Sequence, residues 1–227
     1  VDASTDDFYF TEFRICTIRK VENSSGIITT IAGVSGTCGN NGDSNAAVNT
    51  LLNKPRAIFG LSGGAVYFTE FESNLARKFD PVGGSIVTIA GGGDAQTMTN
   101  EGDGKPATEA ALSGPSGIWV DKDSNVYISE SYASVVRKVS ASDGTISTVL
   151  GVHGARGPFA KVTNVKNVLY HPRGVFGDDV FHQLYLSDKD NHRIVAFTLP
   201  HEVVPQIDTV AGNGGNYAGA YVNTCVE

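Results

Sequence analysis

The sequence has a single Trp, a single Met and three Cys, and it holds fewer cations than anions. Lys and Arg number 17 against 24 Asp and Glu, a formal net charge of −7. A face that binds nucleic acid or an anionic membrane without regard to sequence needs a cationic excess, so neither partner is expected. No run of 18 apolar residues occurs, so membrane insertion through a helix is not expected. The cysteines, Cys16, Cys38 and Cys225, include no Cys-x-x-Cys pair and fit no zinc spacing. They read either as free or buried thiols or as one disulfide plus a spare thiol, with the pairing open. No segment carries a long 3.6-residue apolar period, although 107–112 could form a short helical turn. Gly91-Gly92-Gly93 follows a strand-like segment but opens no helix, so no phosphate cradle is expected there. No secretory leader is legible and the chain opens on Val1, so it reads as processed or as a piece of something longer.

What the sequence does have is turns and apolar residues. Glycine occurs 27 times and hydrophobic residues make up 41%, enough for a core crossed by many reversals. The 227 residues fit one all-β domain. Four segments line up along them: Tyr9-Phe10-Thr11-Glu12, Tyr67-Phe68-Thr69-Glu70, Tyr127-Ile128-Ser129-Glu130 and Tyr185-Leu186-Ser187-Asp188. Their tyrosines stand 58, 60 and 58 residues apart. Arg19-Lys20, Arg77-Lys78 and Arg137-Lys138 follow at a fixed offset, with Val195-Ala196 in the fourth copy. A Thr-x-x-Gly marker comes next, ending at Gly33, Gly91, Gly151 and Gly212. Pro55, Pro115 and Pro172 each open the next copy. The repeats therefore run approximately 1–54, 55–114, 115–171 and 172–227.

Each copy reads as four short strands rich in β-branched and aromatic residues, bounded by Gly, Asp, Asn or Ser. In the third copy, Asp123-Ser124-Asn125 and Ser142-Asp143-Gly144 supply hairpin turns. Repeats of four antiparallel strands, none able to bury both faces alone, predict the blades of a β-propeller. The apparent turn at Pro115–Gly117 is expected to need a glycine conformation, and Trp119 is expected in the core.

Gly102-Asp103-Gly104, Ala107-Thr108, Pro115-Ser116-Gly117-Ile118, Asn125-Val126-Tyr127-Ile128 and Arg137-Lys138-Val139 resemble the NHL repeat. Asp190-Asn191-His192-Arg193-Ile194 is similar to the Asn-His-Leu stretch that names that family. The resemblance covers nearly the whole chain. It implies a propeller, commonly of six blades and sometimes five, of which four repeats are visible here. The sequence departs from the family at the end of the second strand, where Glu12, Glu70 and Glu130 replace the usual Asp. The Asn-x-Arg element stands only in the fourth copy; Thr17, Leu75 and Val135 take the place of Arg193 elsewhere.

Glu12, Glu70, Glu130 and Asp188 occupy one position in successive blades and would lie on a ring. Such a rim could bind a cation or a basic peptide; the competing reading is that each carboxylate accepts hydrogen bonds within its own blade. Asp121 to Asn125 begins like a calcium loop but lacks its Gly and Glu, so a hairpin turn is expected. The histidines, His153, His171, His182, His192 and His201, are not blade-equivalent. Some propeller lyases similar to this family hold zinc through channel histidines, and that arrangement is not expected here. No cofactor is expected, with calcium or zinc left open. Asn23-Ser24-Ser25 and Asn223-Thr224-Cys225 are N-glycosylation sequons. The function expected is a non-catalytic protein-interaction or scaffold module, extracellular or at the cell surface, meeting a protein partner or its own copies in a larger assembly or fibre. The alternative is a propeller lyase or hydrolase with a metal in its channel.

Overall fold

The computed structural model describes residues 5–44, 46–94, 102–155, 168–179, 182–199 and 207–212. Its strands form four antiparallel sheets in chain order, the blades of a β-propeller. Blade 1 has three described strands, β1 (Phe8–Glu12), β2 (Thr17–Val21) and β3 (Ile28–Ala32). Blade 2 is β4 (Pro55–Gly60), β5 (Val66–Glu70), β6 (Leu75–Asp80) and β7 (Ser85–Ala90). Blade 3 is β8 (Pro115–Val120), β9 (Val126–Glu130), β10 (Val135–Val139) and β11 (Ile146–Gly151). Blade 4 is β12 (Pro172–Asp178), β13 (Gln183–Asp188), β14 (Arg193–Thr198) and β15 (Ile207–Gly212). The residues before Thr5, where a first strand of blade 1 was expected, lie outside the described residues.

The first strands are the inner ones: β8 packs between β4 and β12. Proline heads each of them, where its missing N–H costs no ladder bond. Every third strand carries a register shift at its second or third residue, at Ile18/Arg19, Ala76/Arg77, Val136/Arg137 and Ile194/Val195. The extra twist brings the end of the fourth strand against the turn that opens the third. Gly33, Gly91, Gly151 and Gly212 sit there at positive φ, where a Cβ would overlap the carbonyls of Cys16, Asn74, Ser134 and His192. Those four partners are themselves left-handed, at φ of 61°, 54°, 60° and 50°. The Thr-x-x-Gly marker of the sequence is thus a backbone requirement.

The core lies between blades. Strand alternation gives each blade two apolar faces. Val126, Ile128 and Ile146 face blade 2, whereas Trp119, Tyr127 and Val136 face blade 4. Trp119 is buried as expected and lies on Gly177, whose missing side chain makes room for the indole. Gly117 differs from expectation. Its φ is not positive; glycine is needed because a Cβ would strike the Arg173 carbonyl, Ser129 Oγ and the Val175 N–H of blade 4. The demand is close blade approach, not turn conformation.

Candidate functional site

The residues that end the second strands are placed by the turn that follows them. In three blades the carboxylate stands seven residues before an arginine on the third strand, two ladder rungs away on the same face. Glu70 Oε1 meets Arg77 Nη1 at 2.8 Å, and Glu130 Oε1 meets Arg137 Nη1 at 3.2 Å; all four side chains are fully buried. In blade 1, Glu12 Oε2 meets Arg19 Nη1 at 3.3 Å, half-buried, and accepts the Thr17 hydroxyl at 2.6 Å. Blade 4 uses a different residue for the same end. Asp188 accepts Arg193 Nε at 2.7 Å from the directly opposite rung, and Val195 takes the place of the other blades' arginine. Moving the arginine by two residues keeps it on the same face of the strand.

The same carboxylates hold the chain that enters the blade. Glu70, Glu130 and Asp188 accept the backbone N–H groups of Asn53, Ser113 and Tyr170, each two residues before the opening proline. The arginines reach farther, into the preceding linker. Arg77 Nη2 donates to the Gly42 carbonyl at 2.6 Å and lies 3.2 Å from Asp43 Oδ1. Arg137 Nη2 meets Asp103 Oδ1 at 2.7 Å, and Arg193 Nη2 donates to the Val168 carbonyl at 3.3 Å. Each pair fastens one blade to the linker that leads into it. Burial raises the pKa of Glu70 above the usual carboxylate range, against the opposing pull of Arg77. Burial also acts to raise Asp43, but the Thr88 N–H, the Thr88 hydroxyl and Arg77 outweigh it and hold Asp43 low.

Of the set expected on a rim, three carboxylates are buried and all four are engaged with arginine inside their own blades. The fixed spacing of seven residues between carboxylate and arginine was present in the sequence and signals this pairing. The Arg-Lys pairs split between faces: Arg77 and Arg137 are buried, whereas Lys78 and Lys138 lie over the Tyr67 and Tyr127 rings at 5.5 and 5.9 Å.

Asp121 forms a hairpin turn. Its Oδ1 accepts the N–H groups of Asp123 and Asn125, and its Oδ2 accepts the Asn125 amide. The histidines sit apart. His153 Nε2 lies 2.8 Å from the Thr148 hydroxyl, His171 Nδ1 is paired with Asp190 Oδ2, and His182 and His192 are left-handed turn residues. His201 lies outside the described residues. Among the described residues no group of three or more His, Cys, Asp or Glu gathers where it could hold a metal. Cys16 and Cys38 form a disulfide, joining the turn before β2 to the linker after β3. Asn23 is exposed on the turn between β2 and β3; Cys225 and Asn223 lie outside the described residues.

The two end blades expose what the inner blades bury. Phe8 is 54% exposed, Phe10 37% and Ile28 50%. Their counterparts in blade 2, Val66, Phe68 and Ile86, are all at 0%, covered by blade 1. At the other end Phe176 is 60% exposed, whereas its counterpart Trp119 is 2% exposed under blade 4. Ile194 and Val210 continue this second patch.

Comparison with known proteins follows this geometry. The Teneurin NHL domain family model matches residues 85–169. The human NHL repeat-containing protein 2 is 27% identical over 206 residues, covering 78% of this chain and 27% of its own length. The chain is similar to NHL-repeat proteins. Another relative is the chloroplastic protein SUPPRESSOR OF QUENCHING 1 of Arabidopsis thaliana, 28% identical over 120 residues, covering 52% of the chain and 11% of that protein. The chain thus spans about a quarter or less of the length of these two relatives. A streptogramin B lyase structure shares the propeller fold, with a TM-score of 0.55 and 18% identity over 91% of this chain and 52% of its own. NHL propellers commonly mediate protein interactions without catalysis, while the fold also carries a lyase; the fold alone does not choose between them.

Proposed function

We propose that this chain is a non-catalytic protein-interaction module that joins copies of itself through its two end blades, outside the cell or at its surface. The observation that carries the reading is the exposure of Phe8, Phe10 and Ile28, at positions that blades 2 and 3 bury completely or nearly so. Fully burying one such side chain contributes about 1.5–3 kcal/mol, so uncovered end faces favour association. Blade 1 offers the face that blades 2 and 3 turn toward the preceding blade. Blade 4 offers, through Phe176, Ile194 and Val210, the face that blade 3 turns toward the next. The two patches differ, so the contact is head-to-tail. The Cys16–Cys38 disulfide and the exposed Asn23 sequon support an oxidising, extracellular setting.

Light scattering with intact mass measurement tests this. The expected result is a chain near 23.8 kDa in particles of at least twice that mass, reverting to monomer in Phe10→Asp. A wild-type monomer at about 100 μM, weaker than most specific associations, overturns self-association.

A further inference from the structure

A second surface lies where the turns after the second strands meet the chain entering each blade. Side chains from three blades form one ladder there. The Arg56 guanidinium lies over the Phe71 ring at 4.5 Å, and Phe71 meets Tyr132 of blade 3 at 5.2 Å. Tyr132 meets His171 at 6.3 Å, and His171 meets Tyr170 at 4.8 Å. Lys54 over Phe13, at 5.5 Å, extends the row to blade 1. Gly114 lies beneath the middle: a Cβ there would come within 2.8 Å of Tyr132 and 3.3 Å of Phe71. The missing side chain lets rings from two blades touch.

Blade stacking does not explain this surface. Blades 2 and 3 are covered on both faces, yet Tyr132 is 51% exposed on their rim. Along the ladder itself cations outnumber anions. The buried carboxylates Glu70, Glu130 and Asp188 at this end are paired with Arg77, Arg137 and Arg193, the first two of which also hold the linker carboxylates Asp43 and Asp103, and Asp190 is paired with Lys189 and His171. Lys54, Arg56 and Arg173 are additional cations there, against the exposed Glu72. Arg173 holds the position on β12 that Arg56 holds on β4, and its Nε is buried with no hydrogen-bond partner among the described residues. The opposite end carries Glu22, Asp80, Asp121, Asp123, Asp143 and Asp179 on its hairpin turns, with Lys122 paired to Asp123. An anionic chain approaching a protein of net charge −7 is steered away from that end and toward the ladder.

We infer that this ladder, centred on Arg56, Phe71 and Tyr132, is a docking surface for an acidic, aromatic-bearing segment of a partner protein. Tyr and Arg are the residue types that most often anchor such contacts. Stacking on Phe71 fixes the Arg56 guanidinium in place and leaves its N–H edge to meet a carboxylate. The aromatic side chains of the segment lie on the Tyr132 and Tyr170 rings. The inference rests on reading the chain as an interaction module, but not on its self-association.

The test is fluorescence anisotropy on the full chain, using a labelled twelve-residue peptide of alternating glutamate and phenylalanine. Phe10→Asp/Phe176→Asp serves as the background, so that the end faces do not capture the apolar probe. The expected result is saturable binding that weakens at least tenfold in Arg56→Ala and in Tyr132→Ala, and weakens as salt rises. Circular dichroism melts identify a variant that fails to fold, in which case Arg56→Gln, which keeps a similar side-chain length, takes its place. No saturable binding below about 1 mM overturns the inference, since that limit corresponds to only about 4 kcal/mol. So does binding indifferent to these substitutions, or binding of a lysine–phenylalanine peptide or a uridine twelve-mer as tight as that of the acidic probe. Failure of self-association with retained peptide binding would leave this surface standing and remove only the end-face reading.

Discussion

At the scale of the residue, the informative comparison is between Arg137 and Arg193. Both engage a buried carboxylate, yet they stand at different positions of their strands, opposite Ile128 and opposite Asp188. Replacing Arg137 by Val leaves Glu130 charged and buried without its cation. Loss of one partner of such a pair costs about 3–5 kcal/mol. The double variant Val135→Arg/Arg137→Val moves the guanidinium to the place it holds in blade 4. It is expected to recover more than half of the loss in urea unfolding; no recovery would mean that the two positions are not interchangeable. Trp119→Ala is expected to cost about 3–5 kcal/mol, because the indole fills the space that Gly177 leaves open. A loss below about 1 kcal/mol in the same experiment would show that blade 4 collapses onto the gap.

At the scale of the element, the linkers matter most. Asp43 ties the linker into blade 2 to the Thr88 N–H at 2.9 Å, to the Thr88 hydroxyl at 2.7 Å and to Arg77. Its pKa is held below the ordinary aspartate value in the fold, where the Thr88 N–H and hydroxyl and Arg77 outweigh burial. A carboxylate whose folded value is depressed stabilises above its unfolded value, and that stability is lost as pH falls through the folded value. Asp43→Asn should therefore cost on the order of 1 kcal/mol at neutral pH, discounted because the side chain is half exposed. The difference from wild type should shrink as pH falls below the ordinary aspartate range and through the depressed folded value. A difference constant with pH, measured by thermal melts, would show that Asp43 acts through its shape and not its charge. Reduction of Cys16–Cys38, separated by 22 residues, should cost about 3 kcal/mol on the loop-closure estimate. The blades, their strand order and the glycines that end them were legible in the sequence, because a backbone that needs positive φ leaves Gly at a fixed spacing. The destination of the carboxylates was not. A charge that recurs in every repeat looks the same in sequence whether it faces solvent or a buried arginine; only the seven-residue spacing carried the difference. The aromatic ladder was less legible still, since Phe71, Tyr132 and His171 hold three different positions in their repeats and meet only through blade stacking.

At the scale of the whole molecule, the two end faces pose one question that a pair of substitutions answers. A head-to-tail contact brings the Phe176 face of one copy onto the Phe10 face of the next. Phe10→Asp and Phe176→Asp each spoil one face and leave the other intact. Either variant alone should therefore stop a ring or a filament from closing. A mixture of the two retains one good pair of faces, Phe176 of the first variant against Phe10 of the second. Light scattering on the mixture should show a heterodimer and nothing larger, while each variant alone stays monomeric. If Phe176→Asp alone still assembles as wild type does, the contact is symmetric through the Phe10 face. The association would then be isologous, and the blade-on-blade reading would fail. The disulfide lies on the blade 2 side of blade 1, where Cys16 is fully buried and its Sγ accepts the Lys54 N–H, so its reduction should lower local stability and leave the Phe10 face unchanged. The aromatic ladder stands away from both end faces and should keep its anisotropy signal throughout.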